Sequence, residues 1–314
     1  MPDKVICVGF CCVDVCIRGV AQIDFSKELI PVKETSIWIG GDAVNESYVL
    51  NKLGKKVELI TGLGGDPTAD FIRMVLDEAG VDYSKSVTNP DSPSMLSVPL
   101  IREDAERSFF NAARPESLSF RVDPEKVRGA RVVSLASLYF PPFDDVDNAL
   151  AVARAAKESG AIVCADMMYS EGCRLETYRD LWPCIDYFFP NQEEARGLTG
   201  EDDPDRMAER ILSFGVSNVI IKIGKRGCLA RNRDTRMIVP PFLVEAVDTT
   251  GAGDNFAAGF ITGLMEGQDL YHCCRYANAA ASIAVAHIGA STGVRSREQL
   301  QEVLDSEKEV SHAL

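Results

Sequence analysis

Short apolar runs alternate regularly with amphipathic stretches along this chain, and no other feature of the sequence restricts the fold as strongly. Six apolar runs are candidate strands, at residues 5–10, 57–61, 131–135, 161–165, 187–189 and 219–223. Between them, stretches such as residues 42–53 and 66–79 carry apolar side chains at helical spacing and are followed by glycine. Buried strands separated by helices predict an α/β fold, a doubly wound and mostly parallel sheet with helices on both faces.

Two regions, 13–39 and 93–113, interrupt this rhythm. Both are rich in alternating or β-branched residues and lack helical periodicity. We expect them to form antiparallel strands that stand apart from the main sheet as a small β lid. The charged stretch 296–309 is expected to be a surface helix. Because no linker is long enough to separate independent units, the prediction is a single domain over residues 1–314.

The charge balance restricts the partners. Lysine and arginine together number 33, against 47 aspartate and glutamate residues, which gives a formal net charge of −14. A surface of this sign repels polyanions, so no nucleic acid partner is expected. A small anionic ligand remains compatible, because oriented backbone N–H groups bind phosphate without positive side chains.

The targeting and cysteine patterns predict a cytoplasmic protein with no membrane association. No apolar run approaches the ~18 residues that a spanning helix requires, and the N-terminus lacks the design of a signal peptide. The ten cysteines include no Cys-x-x-Cys pair, which favours reduced, buried thiols over disulfides. The three histidines are not spaced as metal ligands.

The segment 244–264 carries the clearest chemical pattern. An apolar run ends at Asp248, a loop of small residues follows, and apolar residues then return at helical spacing. This order predicts a strand, a loop and a helix. The loop residues Gly251, Ala252 and Gly253 have almost no side chain, so their backbone N–H groups can approach an oxyanion at the positive end of the helix.

Asp254 stands where this helix begins, and two interpretations of it are open. It is either a carboxylate that caps the helix or a general base that takes the proton of an alcohol attacking a phosphoryl group. The helix N-terminus is expected to lower the pKa of this carboxyl group and keep it ionised. The sequence has no P-loop, no complete dinucleotide fingerprint and no protein-kinase motif set, so a bound phosphate needs a different loop.

Two motifs in order connect this segment to a known family. The stretch 248–254, Asp-Thr-Thr-Gly-Ala-Gly-Asp, resembles the C-terminal motif of the ribokinase-like (PfkB) carbohydrate kinases. The stretch 40–45, Gly-Gly-Asp-Ala-Val-Asn, resembles their N-terminal motif. Further likeness extends over nearly the whole chain, at Asp14 and in the stretches 62–66, 191–194, 222–227 and 278–290. The resemblance implies a doubly wound α/β domain with a β lid over a sugar site.

The resemblance also implies roles for single residues. It makes Asp254 the catalytic base toward the acceptor hydroxyl. The anion hole for the transferred phosphoryl group is implied to be Gly251, Ala252 and Gly253. The positions implied to hold sugar hydroxyls are Asp14, Gly41, Asp42 and Asn45. Without the resemblance, the latter positions fit an aspartate in a turn and a helix-capping box.

Nucleotide and cation sites follow in the same way. Asn191 and Glu194 match the family's Asn-x-x-Glu, which is implied to organise Mg²⁺ and phosphate in part through water, and which is also a helix-capping box. Positions that match the family's nucleotide site are Asn191, Lys222, Gly224, Gly227 and Asn278. A glycine-rich turn at 224–227 equally fits a simple hairpin. A loop that binds K⁺ through backbone carbonyls is implied near Asp248, Thr250 and Gly289.

The sequence departs from the ribokinase pattern around the sugar. Asp42 stands where ribokinases usually have lysine, and Ala-Ser at 136–137 stands where they carry a sugar-binding glutamate. The lid segment 107–111 resembles fructokinase-like enzymes. Candidates to face the substrate are Phe110, Asn111 and Arg114. Arginines that leave a phosphorylated or acidic sugar open as substrate are Arg102, Arg107 and Arg114.

These observations lead to the hypothesis of an ATP-dependent, Mg²⁺-requiring kinase. It transfers the γ-phosphoryl group of ATP to a primary hydroxyl of a small sugar of the ribose, fructose or 2-keto-3-deoxygluconate class, after a lid has excluded water. Trp38 and the aromatic pair at 109–110 leave a nucleoside open as the acceptor. The lid arginines leave a phosphosugar open as the acceptor. A sugar- or nucleotide-binding regulator without turnover is the remaining alternative. The edges of the lid strands also suggest a homodimer.

Overall fold

The computed structural model describes residues 3–20, 22–102, 107–111, 115–168 and 171–306. The strands are β1 Val5–Val8, β2 Cys12–Arg18, β3 Glu34–Gly40, β4 Val57–Ile60, β5 Gly62–Gly64, β6 Val87–Asn89, β7 Met95–Ile101, β8 Arg107–Asn111, β9 Val132–Leu138, β10 Ile162–Met167, β11 Tyr187–Phe188, β12 Asn218–Lys222, β13 Cys228–Arg231 and β14 Arg236–Val239. The α-helices are α1 Asp42–Lys52, α2 Pro67–Ala79, α3 Val146–Glu158, α4 Gln192–Thr199, α5 Pro204–Leu212, α6 Ala252–Met265, α7 Leu270–Val285 and α8 Arg297–Asp305.

An eight-stranded sheet forms the centre of the molecule, in the order β14-β13-β12-β11-β10-β9-β1-β4. Pairing is parallel from β4 to β12 and antiparallel only in the hairpins that add β13 and β14. Successive residues of β1 enter two different core clusters, Val5 and Cys7 on one face and Ile6 and Val8 on the other. Helices therefore cover both faces, and the predicted α/β architecture is confirmed.

Local signals set the helix boundaries. The stretch predicted at 42–53 folds as α1, and α2 begins where Asp66 accepts a hydrogen bond from the backbone N–H of Ala69 and ends at Gly80, which is left-handed with φ of 72°. Each of the six strands predicted for the main sheet overlaps an observed one. Nine of the ten cysteines are buried, as expected for thiols that pack as small apolar side chains. Among the described residues, no helix is both long enough and apolar enough to cross a bilayer.

The two interrupting regions form a separate four-stranded sheet, in the order β3-β2-β7-β8, which we call the lid. The prediction of antiparallel strands is right for β2 with β3 and for β7 with β8. It is wrong for the central pair, since β2 and β7 run parallel. β2 and β7 belong to segments that are far apart in the chain, and both strands leave the main domain in the same direction. They therefore pair in parallel.

The strand predicted to end at Asp248 does not form. Residues 243–248 run as an irregular segment in which Val244 and Val247 are 45% and 42% exposed. The backbone N–H groups of Val247 and Asp248 donate to the carbonyl of Val285, at the end of α7. The run is therefore held by the end of α7 and does not add to the main sheet, which ends at β14.

Close packing of α6 against α7 holds the segment that follows the small-residue loop. A Cβ atom at Gly259 would lie 2.5 Å from the carbonyl oxygen of Tyr276 and 2.8 Å from the Cβ of Ala280. We expect Gly259→Ala to reduce the free energy of unfolding by about 1–3 kcal/mol, because the helices must separate to admit the methyl group. Urea denaturation measures this change.

Gly54→Ala is the control, because a Cβ atom there meets nothing within 4 Å and only the left-handed conformation, with φ of 76°, opposes it. A loss of about 1 kcal/mol is expected for this control. If Gly259→Ala is as stable as the wild type, the two helices do not need their close approach.

Candidate active site

The first turns of α1 and α6 meet at one edge of the main sheet. Each helix starts after a glycine in a conformation that other residues rarely adopt, Gly41 with φ of 100° and Gly251 with φ of 71°. A Cβ atom at Gly251 would lie 2.3 Å from the carbonyl oxygen of Ala290, so glycine is required for space as well. Gly251 ends the loop, and Ala252 and Gly253 open α6, so their backbone N–H groups lie at the positive end of the helix, where that of Ala252 also donates to the carbonyl of Thr249 at 3.3 Å.

Asp254, in the first turn of α6, is bound by the first turn of α1. The Nδ2 group of Asn45 donates to its Oδ2 atom at 2.6 Å, a contact between residues 209 positions apart in the chain. Burial raises the pKa of Asp254 to about 7, and the charges of Asp166 and Asp14 add to the increase. The expected lowering of this pKa is wrong, because loss of water and neighbouring carboxylates outweigh the helix N-terminus.

An ion pair lies beside the same loop. The Nζ atom of Lys222 donates to Oδ2 of Asp166 at 2.6 Å, and the two side chains are only 16% and 7% exposed. That Nζ atom is 3.1 Å from the position of a Cβ on Gly253, so its ammonium group faces the small-residue loop. Burial opposes the charge of Lys222, yet the carboxylates of Asp166 and Glu194 raise its pKa above the usual value.

Asp166 was not among the residues predicted for the site. It directly follows the predicted strand 161–165 and lies near the carboxyl end of β10, a buried parallel strand. A carboxylate at that position is a recognisable signal, because ligands bind outside the carboxyl ends of the strands in open α/β sheets.

Asp42 and Asn45 both reach the site from α1. Oδ2 of Asp42 accepts a hydrogen bond from the hydroxyl of Ser137 at 3.1 Å. Burial raises the pKa of Asp42, and the charge of Asp254 is the next largest cause. The structure therefore brings Asp42, Asn45 and Asp254 together, with Gly41 directly before them.

Asp14 approaches from the lid. In the strand ladders it stands opposite Trp38 on β3 and opposite Ser97 on β7, so these three side chains share one face of the lid, which we call the inner face. A Cβ atom at Gly40 would lie 2.2 Å from Oδ2 of Asp14, so glycine leaves the carboxylate its space. Burial raises the pKa of Asp14, and a hydrogen bond with Ser97 opposes the increase.

The lid separates two residues that were predicted together. Asn111 stands opposite Ser97 and lies on the inner face, whereas Phe110 stands opposite Val98 on the outer face and is 53% exposed. Neighbouring strand residues point to opposite faces, so Phe110 and Asn111 cannot both face one substrate. Phe109 lies on the inner face instead, opposite Pro99. Arg114 lies outside the described residues.

Asn191 and Glu194 form the capping box of α4. The backbone N–H of Asn191 donates to Oε2 of Glu194 at 2.6 Å, and that of Glu194 donates to Oδ1 of Asn191 at 2.9 Å. The backbone N–H of Lys222 donates to the carbonyl of Pro190, which places this box beside the ion pair. Burial raises the pKa of Glu194 to about 7, although Lys222 opposes the increase.

The segment 224–227 is a hairpin turn between β12 and β13, as its alternative interpretation allows. A Cβ atom at Gly227 would lie 2.1 Å from the carbonyl oxygen of Val239. Asn278 donates from Nδ2 to the carbonyls of Val239 and Pro240, both at 3.0 Å. Gly224, Gly227 and Asn278 therefore share one corner of the fold, and their contact with a nucleotide stays a prediction.

Asp248 ties two loops together behind the small-residue loop. Its Oδ1 atom accepts from the backbone N–H of Thr250 at 3.0 Å and from the Thr250 hydroxyl at 2.7 Å. Its Oδ2 atom accepts from the backbone N–H of Gly289 at 3.0 Å. The three residues implied for K⁺ are thus adjacent. Within the described ranges, no group of three or more His, Cys, Asp or Glu side chains is arranged to hold a metal ion.

Comparison with known proteins defines the class. Residues 2–297 match the model of the pfkB family carbohydrate kinase, so the chain belongs to that family of phosphotransferases, which act on an alcohol group. It is a sugar kinase of the PfkB and ribokinase type.

Individual relatives agree with this class. The chain is 26% identical over 285 residues to "Ribokinase" of Haemophilus influenzae, with 88% of this chain and 91% of the relative covered. It is 26% identical over 304 residues to "2-dehydro-3-deoxygluconokinase" of Bacillus subtilis, with 91% and 93% covered. The structure of Arabidopsis thaliana ribokinase complexed with ribose and ATP is similar with a TM-score of 0.83 and 25% identity, over 97% of this chain and 99% of that one.

Glu46 is a further buried acid that the sequence interpretation did not single out. It follows Asn45 on α1, is 0% exposed, and lies in the described structure without a hydrogen-bond partner of standard geometry on either carboxyl oxygen. Burial raises its pKa to about 8, an increase that Ser134 moderates. A glutamate inside an apolar helix face is the signal, because such a residue is almost never fully buried without a partner.

We expect Glu46→Gln to flatten the dependence of stability on pH. The folded protein retains the proton up to about pH 8 while the unfolded chain releases it near pH 4.5, so stability falls as the pH rises between these values. The wild type is expected to lose about 1.4 kcal/mol more than the variant per pH unit between pH 5 and 7.5. Urea denaturation at a series of pH values measures the slope.

Asp82→Asn is the matched control, because the pKa of Asp82 is shifted in the opposite direction from that of Glu46. The backbone N–H of Ser84 lowers the pKa of Asp82, so its contribution is lost only as the pH falls through the acid range. Equal slopes for wild type and Glu46→Gln above pH 5 would show that Glu46 is ionised in the folded protein.

Proposed function

We propose that the protein transfers the γ-phosphoryl group of ATP to a hydroxymethyl group of a small sugar, with Asp254 as the general base. The observation that carries this proposal is the position of one carboxylate. Asp254 is held by Asn45 at 2.6 Å, follows the amide loop directly, and has a pKa of about 7. A base that titrates near neutral pH can accept a proton and be ionised for the next cycle.

The reaction assigned to this site is a direct displacement. The acceptor hydroxyl gives its proton to Asp254 while its oxygen forms a bond to the γ-phosphorus, and the bond from phosphorus to the ADP oxygen breaks. The amides of Gly251, Ala252 and Gly253 stabilise the negative charge on the phosphoryl oxygens. Lys222 adds a positive charge beside Gly253, where that charge develops.

Cations complete the proposal. Carboxylate oxygens and water are the ligands that Mg²⁺ prefers, and Glu194 beside Lys222 offers such an oxygen, so we assign Mg²⁺ to Glu194 through water, with Asn191 orienting that carboxylate. Mg²⁺ supplies charge neutralisation to the phosphates of ATP. K⁺ is assigned to backbone carbonyls near Asp248, Thr250 and Gly289. The nucleotide is assigned to the corner formed by Gly224, Gly227 and Asn278, and the cytoplasm is the proposed compartment.

The inner face of the lid favours a hydroxyl-rich acceptor. Asp14, Ser97 and Asn111 stand in one row across β2, β7 and β8, and their side chains can exchange hydrogen bonds with several hydroxyls. The acceptors proposed are therefore sugars of the ribose, fructose or 2-keto-3-deoxygluconate class. A nucleoside is the second candidate, because Trp38 and Phe109 on the same face offer aromatic surface for a base.

We expect Asp254→Asn to lower kcat by about 10²–10⁴-fold with little change in the Kd of ATP, because the amide cannot accept the hydroxyl proton. The assay is ADP release with ATP and Mg²⁺ over a panel of ribose, fructose, 2-keto-3-deoxygluconate, a phosphosugar and a nucleoside, with and without K⁺. For the wild type, kcat/KM should rise with pH through about 7 as Asp254 ionises.

Asp269→Asn is the control, since this carboxylate caps the exposed start of α7 and should leave kcat unchanged. Undiminished turnover by Asp254→Asn would refute the assignment of the base. Binding of ATP and sugar by a wild type that phosphorylates nothing in the panel would favour the non-catalytic regulator.

The lid also supports the proposal of a homodimer. Its outer face is apolar, since Val15 stands opposite Ile37 and Val98 opposite Phe110, and Ile37 and Phe110 are 50% and 53% exposed. Leu96, also on this face, is 40% exposed. Such a face is self-complementary, as a two-fold interface requires.

We expect Ile37→Glu to convert a dimer into a monomer, because two added carboxylates would be buried against apolar surface. Light scattering during size-exclusion chromatography measures the mass. Ile238→Glu is the control, because Ile238 is similarly exposed, at 46%, but lies on β14 at the edge of the main sheet and not in the lid. A wild type that elutes as a monomer would reject the proposal.

A further inference from the structure

Trp38 is the lid residue with an unexplained position. It stands opposite Asp14 on the inner face, is half-buried, and donates from its indole Nε1 to the hydroxyl of Ser36 at 2.9 Å. The polar atom of the indole is therefore held within the lid. The carbon part of the indole ring is then available to contact the groups that the lid covers.

The indole reaches a turn of the main domain. The Cδ2 and Cε2 atoms of Trp38 lie 3.5 Å from the position that a Cβ would take on Gly289, which is van der Waals contact range. Gly289 has φ of 92°, a conformation that other residues rarely adopt, so bare backbone faces the ring. The lid and the main domain therefore meet at this residue.

The same turn supports from behind the segment Gly251, Ala252 and Gly253, which we call the anion loop after its proposed role. Asn255 donates from Nδ2 both to the carbonyl of Ala290 at 2.6 Å and to the carbonyl of Gly251 at 2.8 Å. Asp248 accepts from the backbone N–H of Gly289 at 3.0 Å. A displacement of Gly289 would therefore be transmitted to Gly251, where the transferred phosphoryl group is proposed to bind.

We propose that Trp38 is a positioning residue that couples acceptor binding under the lid to phosphate binding in the anion loop. The coupling runs from Asp14 through Trp38 to the Gly289–Ala290 turn and on to Gly251. It rests on the proposed function, since it joins the sugar and phosphate sites of that reaction. When a bound acceptor keeps the lid over the site, the lid keeps the indole of Trp38 against the Gly289–Ala290 turn. That turn then keeps the backbone amides of the anion loop in position. By linkage, sugar must tighten nucleotide binding and nucleotide must tighten sugar binding by the same factor.

The test measures this factor in wild type, Trp38→Phe and Trp38→Ala. The Kd of a non-hydrolysable ATP analogue with Mg²⁺ is determined by calorimetry, with and without the sugar that the wild type phosphorylates. Sugar is expected to lower the Kd of the wild type about 5-fold or more, and of Trp38→Ala less than about 2-fold. Trp38→Phe should fall between, because it keeps a smaller ring. Loss of coupling should also lower kcat of Trp38→Ala more than it raises the KM of the sugar.

Thr35→Ala is the matched control, because Thr35 lies on the same strand but on the outer face and is exposed. It should retain the full factor. Fluorescence supplies a second readout that does not need the alanine variant to fold. The chain has two tryptophans, and Trp182 is fully buried in a core cluster without Trp38, so the wild-type spectrum minus that of Trp38→Phe reports on Trp38. Sugar is expected to change this difference spectrum.

A Trp38→Ala variant that keeps the full factor, or a difference spectrum that does not respond to sugar, overturns the inference and leaves the kinase proposal intact. A wild type that phosphorylates none of ribose, fructose, 2-keto-3-deoxygluconate or a nucleoside contradicts the proposed function itself, and this inference with it. The two failures are therefore distinguishable.

Discussion

The ion pair between Lys222 and Asp166 is the interaction on which the site depends. Four other carboxyl groups with raised pKa values lie near it at the meeting point of α1, α4, α6 and the main sheet, namely Asp42, Glu46, Glu194 and Asp254, and the pKa of Asp166 is raised as well. So many carboxylates cannot all be ionised in a buried site without positive charge, because each would lack water and repel the others. Lys222 provides such a charge at the end of β12, beside the anion loop.

This electrostatic arrangement has consequences for the chemistry. Some of the carboxyl groups retain protons near neutral pH, so the site holds proton acceptors that can also release a proton.

Two helix starts form the framework around these charges. The hydrogen bond from Asn45 to Asp254 joins α1 to α6, and Gly41 and Gly251 allow each chain to turn sharply into its helix. Neither helix start would be useful alone, because α1 carries acceptor-binding candidates and α6 carries the anion loop. The lid adds Asp14 to this framework. Trp38, on the same inner face of the lid, contacts the Gly289 turn of the main domain.

Much of the fold could be predicted from local pattern, and the exceptions have physical causes. The helices α1 and α2 agree with their periodicity and flanking glycines, because both signals are local. The strand expected before Asp248 does not form, because the backbone of Val247 and Asp248 bonds to the end of α7 and not to an edge of the main sheet. The expectation for Phe110 failed because the face of a lid residue depends on register, which the turn and the neighbouring strands decide. Asp166 was passed over because its partner, Lys222, is 56 residues away.

Local sequence pattern was enough to predict the class of the fold and the presence of two glycine-rich helix starts with carboxylate and amide side chains. These are set by periodicity, by the absence of side chains and by residue chemistry, which act over a few positions. The long-range contacts of the folded chain were needed to show that Asn45 binds Asp254, that Lys222 pairs with Asp166 and that the pKa of Asp254 lies near 7 rather than below its usual value. Such properties arise from loss of water and from charges on distant segments, and no local stretch of sequence contains either.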